Sequence, residues 1–234
     1  MNFLLLYFIG VRTQVLTQCN SNNQVTLTFD DGPGDNTNKI VNILNENNVT
    51  ATFFINGLRV IKENRWYDLK KLINNGNTLG THTFSHVSLD QVNDFNINRE
   101  FYDNELIFRL LLNKRPRFFR PPYFNYNDRI LNFANTFGYT TVITNLDPLD
   151  WNLLNEDLIY QYFVTHLTDG SFITLNHEQV VQSVNVLDKV IKYIKTQNFS
   201  IVSIEECLGL SSYQNDNVYG PFLTNGINTN MFST

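Results

Sequence analysis

The sequence is short of cysteine, of basic charge and of long apolar runs, and each shortage closes off a class of protein. Two cysteines in 234 residues, Cys19 and Cys207, permit at most one bridge; in an oxidising compartment it would tie the two ends of the folded region together, and otherwise they are separate buried thiols. Lys and Arg number 17 against 22 Asp and Glu, a net charge of -5 with no basic stripe, so neither nucleic acid nor an anionic membrane surface is an expected partner. A neutral or cationic ligand fits this balance better. The N-terminal apolar run FLLLYFIG is too short to span a bilayer. It stands where the hydrophobic segment of a signal peptide would, so residues 1–18 are read as a leader with a missing basic flank; the other reading is a first buried strand or helix. Internal repeats and linkers are absent, and no second domain is required.

Apolar and aromatic side chains, by contrast, are plentiful. Hydrophobic residues make up 42% and aromatics 14%, with 19 Phe and 11 Tyr, enough to bury a sizeable core in one large domain. Residues 19–210 carry the folded pattern and 211–234 a polar tail without apolar period. Two sequons, Asn48-Val49-Thr50 and Asn198-Phe199-Ser200, are compatible with secretion but arise easily in so Asn-rich a chain.

The centre of the pattern is VTLTFDDGP, Val25 to Pro33. Val25, Leu27 and Phe29 alternate with Thr26 and Thr28 as in a half-buried strand, and Gly32-Pro33 stops it. Side chains alternate along a strand, so Asp30 and Asp31 are expected to point apart and do different work. Downstream, helical periods over 36–47, 60–73, 128–137, 155–167 and 180–195 alternate with apolar strands over 49–56, 78–81, 117–119, 139–144, 171–175 and 199–202. Ser88-Leu89-Asp90-Gln91 reads as a capping box opening a further helix through about Leu112. Strands and helices in alternation imply a mostly parallel sheet, and seven or so units in one domain favour an α/β barrel of the TIM-like kind over an open sheet. The polar clusters, Asp30-Asp31, His82 with His86, Arg120 to Tyr123, Asp147 to Trp151, and His177, each follow a predicted strand. In a (β/α) barrel those positions converge on one mouth.

The chemistry follows from the residue types. His82 and His86 lie at the i, i+4 spacing that puts two imidazoles on one side of a helical turn, and with Asp31 they make a two-His, one-carboxylate site for one divalent metal ion. Zinc is the first choice; cobalt or manganese could substitute. Asp30 is then the candidate base for a metal-activated water, and His177, after the strand SFITLN, a candidate general acid. His166 stands near a predicted helix C-terminus and reads as structural. A glycosidase pairing Asp30 with Asp31 would leave the histidines unexplained.

Five segments, TFDDGP (28–33), HTFSH (82–86), RPPY (120–123), DPLDW (147–151) and LNH (175–177), resemble in order the five motifs of the polysaccharide deacetylases, the NodB-like group of carbohydrate esterase family 4. The resemblance covers roughly residues 24–210, and flanking phrases such as ATFFING and SIEECLG are most similar to fungal-type chitin deacetylases. It implies a distorted (β/α)7 barrel, with Asp31, His82 and His86 as metal ligands, Asp30 as base and His177 as acid. It further implies that Arg120 orients Asp30, that Asp150 tunes His177, that Trp151 and Leu175 line the acetyl pocket, and that the Tyr123 amide stabilises the oxyanion. A Cys19–Cys207 disulfide is implied as well. The expected activity is removal of N-acetyl groups from chitin or chitooligosaccharides by a secreted or cell-wall monomer. Competing expectations are a non-catalytic carbohydrate-binding relative and a deacetylase of peptidoglycan or acetylxylan. Two positions depart from the family pattern: Phe124 replaces a usual Gly after RPPY, and Glu178 stands where fungal relatives often have Asp.

Overall fold

A computed structural model describes residues 14–215; the N-terminal apolar run and the tail beyond 215 lie outside the described residues. Strands β1 (Val15–Leu16), β2 (Gln24–Gly32), β3 (Ala51–Ile55), β4 (Thr78–Thr81), β5 (Phe118–Phe119), β6 (Thr140–Val142), β7 (Phe172–Ile173) and β8 (Ser200–Ile201) pair in parallel in the order β1-β6-β5-β4-β3-β2-β7, with β8 beside β2. A parallel bridge from Leu146 to Thr174, where the Leu175 N–H donates to the Leu146 carbonyl at 2.9 Å, joins the chain after β6 to the chain after β7. The fold is thus the distorted, parallel barrel that the alternation of elements predicts.

Helices α1 (Thr37–Glu46), α2 (Gly57–Lys62), α3 (Trp66–Asn74), α4 (Asp94–Leu112), α5 (Asp128–Thr136), α6 (Asp150–Leu153), α7 (Glu156–His166), α8 (Val181–Thr196) and α9 (Ile204–Leu208) connect the strands. Each long one buries a stripe. On α8, Val184, Leu187, Val190, Ile191 and Ile194 recur at three- and four-residue steps and are buried. Each such side chain, fully removed from water, stabilises the fold by about 1.5–3 kcal/mol. Opposite the mouth, Cys19 and Cys207 form a disulfide that joins the segment before β2 to α9.

Three local expectations change. β2 is not half-buried: Val25, Leu27 and Phe29 enter the apolar core, and Thr26 and Thr28 are fully buried too. A parallel barrel strand is covered by helices on one side and by other strands' side chains on the other. Thr28 is tolerated there because its hydroxyl donates to the Thr174 carbonyl and accepts from Arg120. The expected 60–73 helix is two, α2 and α3, broken near Asn64, whose φ of +54° lies in the left-handed region that ends helices. Ser88 does not open α4; its hydroxyl is held by the Asp90 carboxylate at 2.5 Å, and Asn93 caps the helix instead by accepting the Asn96 N–H at 3.0 Å.

Candidate active site

The ends of β2, β4, β5, β6 and β7 all open on one mouth, and the loops that follow them are held in an unusual conformation. Asp31, Thr83, His86, Tyr123, Phe124 and Leu149 have φ between 54 and 66°. Left-handed backbone at non-glycine residues costs roughly 1–3 kcal/mol each and persists where the surroundings impose it, which is characteristic of functional loops. Phe124 has the conformation that a glycine would adopt without strain.

The expectation that Asp30 and Asp31 point apart is overturned by this geometry, while their different partners, Arg120 and His86, keep the two carboxylates distinct. A register shift between Phe29 and Gly32, with Asp31 at positive φ, breaks the alternation. Both carboxylates consequently approach the same imidazole: Asp30 Oδ2 lies 3.7 Å and Asp31 Oδ1 3.6 Å from His82 Nε2. Likewise, His82 and His86 do not share a helical turn. They sit on an irregular loop after β4, and its left-handed residues, rather than helical spacing, bring the rings to 4.9 Å.

Asp31 Oδ1 is buried without a hydrogen-bond donor and stands 3.1 Å from His86 Nε2. His82 Nδ1 is 2.7 Å from the Arg120 carbonyl, which only accepts, so Nδ1 carries the proton and Nε2 presents a lone pair to the aspartates. Burial drives the His82 pKa down to about 3, so the ring is neutral. One carboxylate oxygen and two imidazole nitrogens, all within 4.8 Å of one another, fit a divalent cation. The donor chemistry does not distinguish zinc from cobalt or manganese.

Two further pairs flank this set. Asp30 is buried and its Oδ1 accepts from Arg120 Nη1 at 2.8 Å; Arg120, fully buried, also lies over the Phe54 ring at 4.2 Å. Burial pushes the Asp30 pKa up, with Arg120 and His177 opposing it. Across from it, the buried Asp150 carboxylate takes both the His177 N–H and the His177 Nδ1 proton, each at 2.7 Å. Burial pulls His177 down, but the hydrogen bond and charge of Asp150, with the charges of Asp30 and Asp31, outweigh it and hold the imidazole at about 9. His177 is therefore protonated at neutral pH. His166 lies away from these groups, stacked on Tyr162 at the end of α7.

A cavity of about 380 Å³ is lined by Asp30, Asp31, His82, His86 and His177 together with Tyr123, Phe124, Trp151 and Leu175. Tyr123 and Trp151 are 64% and 55% exposed, large aromatic faces left open at its rim. The Tyr123 hydroxyl also reaches His86 Nδ1 at 3.2 Å. Supporting residues outside the motifs come from α4 and from Asn56, just after β3. Glu100 accepts from the Ser85 N–H at 2.8 Å and from its hydroxyl; Asn104 donates to the Ile55 carbonyl and Thr81 hydroxyl; Asn56 donates to the His82 carbonyl at 2.6 Å. Glu100 and Asn104 are buried polar residues one turn apart on α4, and polar residues on an inward helical face were the readable signal.

Residues 17–142 match the family model described as Polysaccharide deacetylase. This chain belongs to the polysaccharide deacetylase family. It is 32% identical over 209 residues to a chitin deacetylase of Pestalotiopsis sp, covering 85% of this chain and 68% of that protein. It is 33% identical over 186 residues to a peptidoglycan-N-acetylglucosamine deacetylase of Bacillus cereus, covering 77% of this chain and 66% of that protein. The solved chitin deacetylase of Colletotrichum lindemuthianum superposes with a TM-score of 0.83 at 26% identity, covering 86% of this chain and 96% of that one. A barrel with a carboxylate–imidazole mouth is thus a polysaccharide deacetylase scaffold; the five motif loops of this family member supply Asp30, Asp31, His82, His86, Arg120, Asp150 and His177, and residues outside them support these groups.

Proposed function

We propose that this family member is a metal-dependent N-deacetylase that hydrolyses acetamido groups of chitin or chitooligosaccharides and releases acetate. The observation that carries the reading is the orphaned Asp31 Oδ1 facing two imidazole nitrogens, with a carboxylate–guanidinium pair on one side and an imidazole–carboxylate pair on the other. Asp31, His82 and His86 would hold a divalent cation, which would supply Lewis-acid polarisation and ease deprotonation of water.

The remaining steps belong to the chain's own residues. Asp30, fixed by Arg120 and raised in basicity by burial, takes a proton from the hydrolytic water as it attacks the amide carbonyl. The Tyr123 backbone amide is assigned to the developing oxyanion. His177, charged and oriented by Asp150, gives its Nε2 proton to the departing amine, which leaves neutral rather than as an unstable amide anion. Leu175 and Trp151 enclose the acetyl methyl, and the open faces of Tyr123 and Trp151 stack on sugar rings.

Secretion is part of the proposal: the disulfide belongs to an oxidising compartment, and among the described residues no helix is long and apolar enough to cross a membrane. The test is acetate release from chitopentaose, peptidoglycan and acetylxylan, with and without a chelator. Chelator-sensitive release from chitopentaose is expected. No release from any substrate after zinc or cobalt addition would establish the non-catalytic alternative.

A further inference from the structure

Glu178 is a fully buried carboxyl that the mechanism above does not use, and it lies immediately after the proposed acid. Its backbone N–H donates to the Asp30 carbonyl at 3.2 Å and its carbonyl accepts from Asn36 Nδ2 at 3.0 Å. Its side chain crosses to the loop that carries the aspartates: Oε1 accepts the Gly34 N–H at 2.7 Å and the hydroxyl of Thr37, the first residue of α1. Oε2 fills the space beside Gly32 and has no hydrogen-bond partner. A Cβ on Gly32 would overlap this carboxyl, so a side chain there would displace Glu178 from its seat. The loop 32–37 is thereby plugged by a group rooted in the strand end that bears His177.

We propose that Glu178 is a positioning residue that sets the separation between the base and the acid, locking the Asp30–Asp31 loop to the His177 strand end. The proposal rests on the deacetylase reading and deepens it. An aspartate at this position has one methylene fewer, and the same carboxyl would fall short of Gly34 and Thr37. Burial, opposed by the Thr37 and Gly34 hydrogen bonds, raises the carboxyl's pKa to about 7, so a neutral amide of the same shape is a close substitute.

The experiment compares Glu178→Ala, Glu178→Asp and Glu178→Gln with the unaltered chain for kcat, KM on chitopentaose, zinc stoichiometry and thermal melting. Misplacement of catalytic groups by about 1 Å costs on the order of 100-fold, so Glu178→Ala and Glu178→Asp are expected to lose about 10- to 100-fold in kcat with KM within about threefold. Zinc stoichiometry should be kept, and Glu178→Gln should restore kcat to within about threefold of the unaltered chain. A folded Glu178→Ala or Glu178→Asp with unaltered kcat overturns the proposal, as does a loss matched by the unfolded fraction alone. Gly32→Ala adds a readout that needs no turnover. Its loss of melting temperature should shrink in the Glu178→Asp background, and additive losses would overturn the placement. An unaltered chain without acetate release fails the deacetylase reading instead, and this melting comparison still decides the contact.

Discussion

Asp30 and His177 occupy paired positions on adjacent parallel strand ends, joined by a backbone bridge, and each is governed by a partner of opposite charge. Arg120 holds the carboxylate and Asp150 holds the imidazolium. Two titratable groups set side by side in contrasting environments are how one fold runs base and acid chemistry at the same pH.

The acid limb should be readable in a pH profile. His177 ordinarily titrates near 6.5 and is held at about 9, so kcat should fall as pH rises through about 9. In Asp150→Asn that alkaline limb should move to lower pH, because the acceptor charge is gone. The same shift has a stability consequence: the ion pair contributes fully below the unfolded value near 6.5 and is lost as pH rises through about 9. Melting temperatures between pH 6 and 10 should therefore decline in the unaltered chain and flatten in Asp150→Asn. An unchanged alkaline limb in the variant would refute Asp150 as the cause.

Removing ligands and removing the base should have different signatures. Asp31→Ala and His82→Ala are expected to lose stoichiometric zinc in a calorimetric titration. Asp30→Asn should keep zinc and lose about 10²–10⁴ in kcat. Zinc loss in Asp30→Asn would make Asp30 a ligand, which its 3.7 Å approach to His82 Nε2 makes a real alternative outcome.

Arg120→Met should be destabilising as well as inactivating. The substitution removes the guanidinium hydrogen-bonded to the buried Asp30 carboxylate, and breaking a buried pair by deleting one partner costs roughly 3–5 kcal/mol. The double variant Arg120→Met with Asp30→Asn should recover much of that loss in chemical denaturation while remaining inactive. No recovery would mean that Arg120 contributes through packing on Phe54 instead.

The disulfide gives a compartment-sensitive prediction. Cys19 and Cys207 close a loop of 188 residues in sequence separation, so Cys207→Ser should lose about 2–5 kcal/mol of stability. Activity at low temperature should persist, because the bridge lies at the opposite end of the barrel from the mouth. Equal stability with and without reductant would show that the bridge does not constrain the unfolded chain.

The sequence by itself determined the alternation of apolar strands and amphipathic helices, the placement of polar clusters after strands, and the residue types that do chemistry. These are local properties: strand and helix periods are written into neighbouring residues, and Asp30, Asp31, His82, His86 and His177 carry their functional groups wherever they lie. Helix starts are less legible where side chains compete: the Ser88 hydroxyl donates to the Asp90 carboxylate, and Asn93 caps α4 instead. Only the tertiary structure decided which nitrogen of His82 faces inward, because that depends on a carbonyl 38 residues away. Likewise, only the tertiary structure brought both aspartates to the same imidazole through a register shift, and placed the Glu178 carboxyl against Gly32 across 144 residues with Gly34. Contacts of that range exist once parallel strands close around a common core, and no short-range pattern in the chain encodes the distances between its loops.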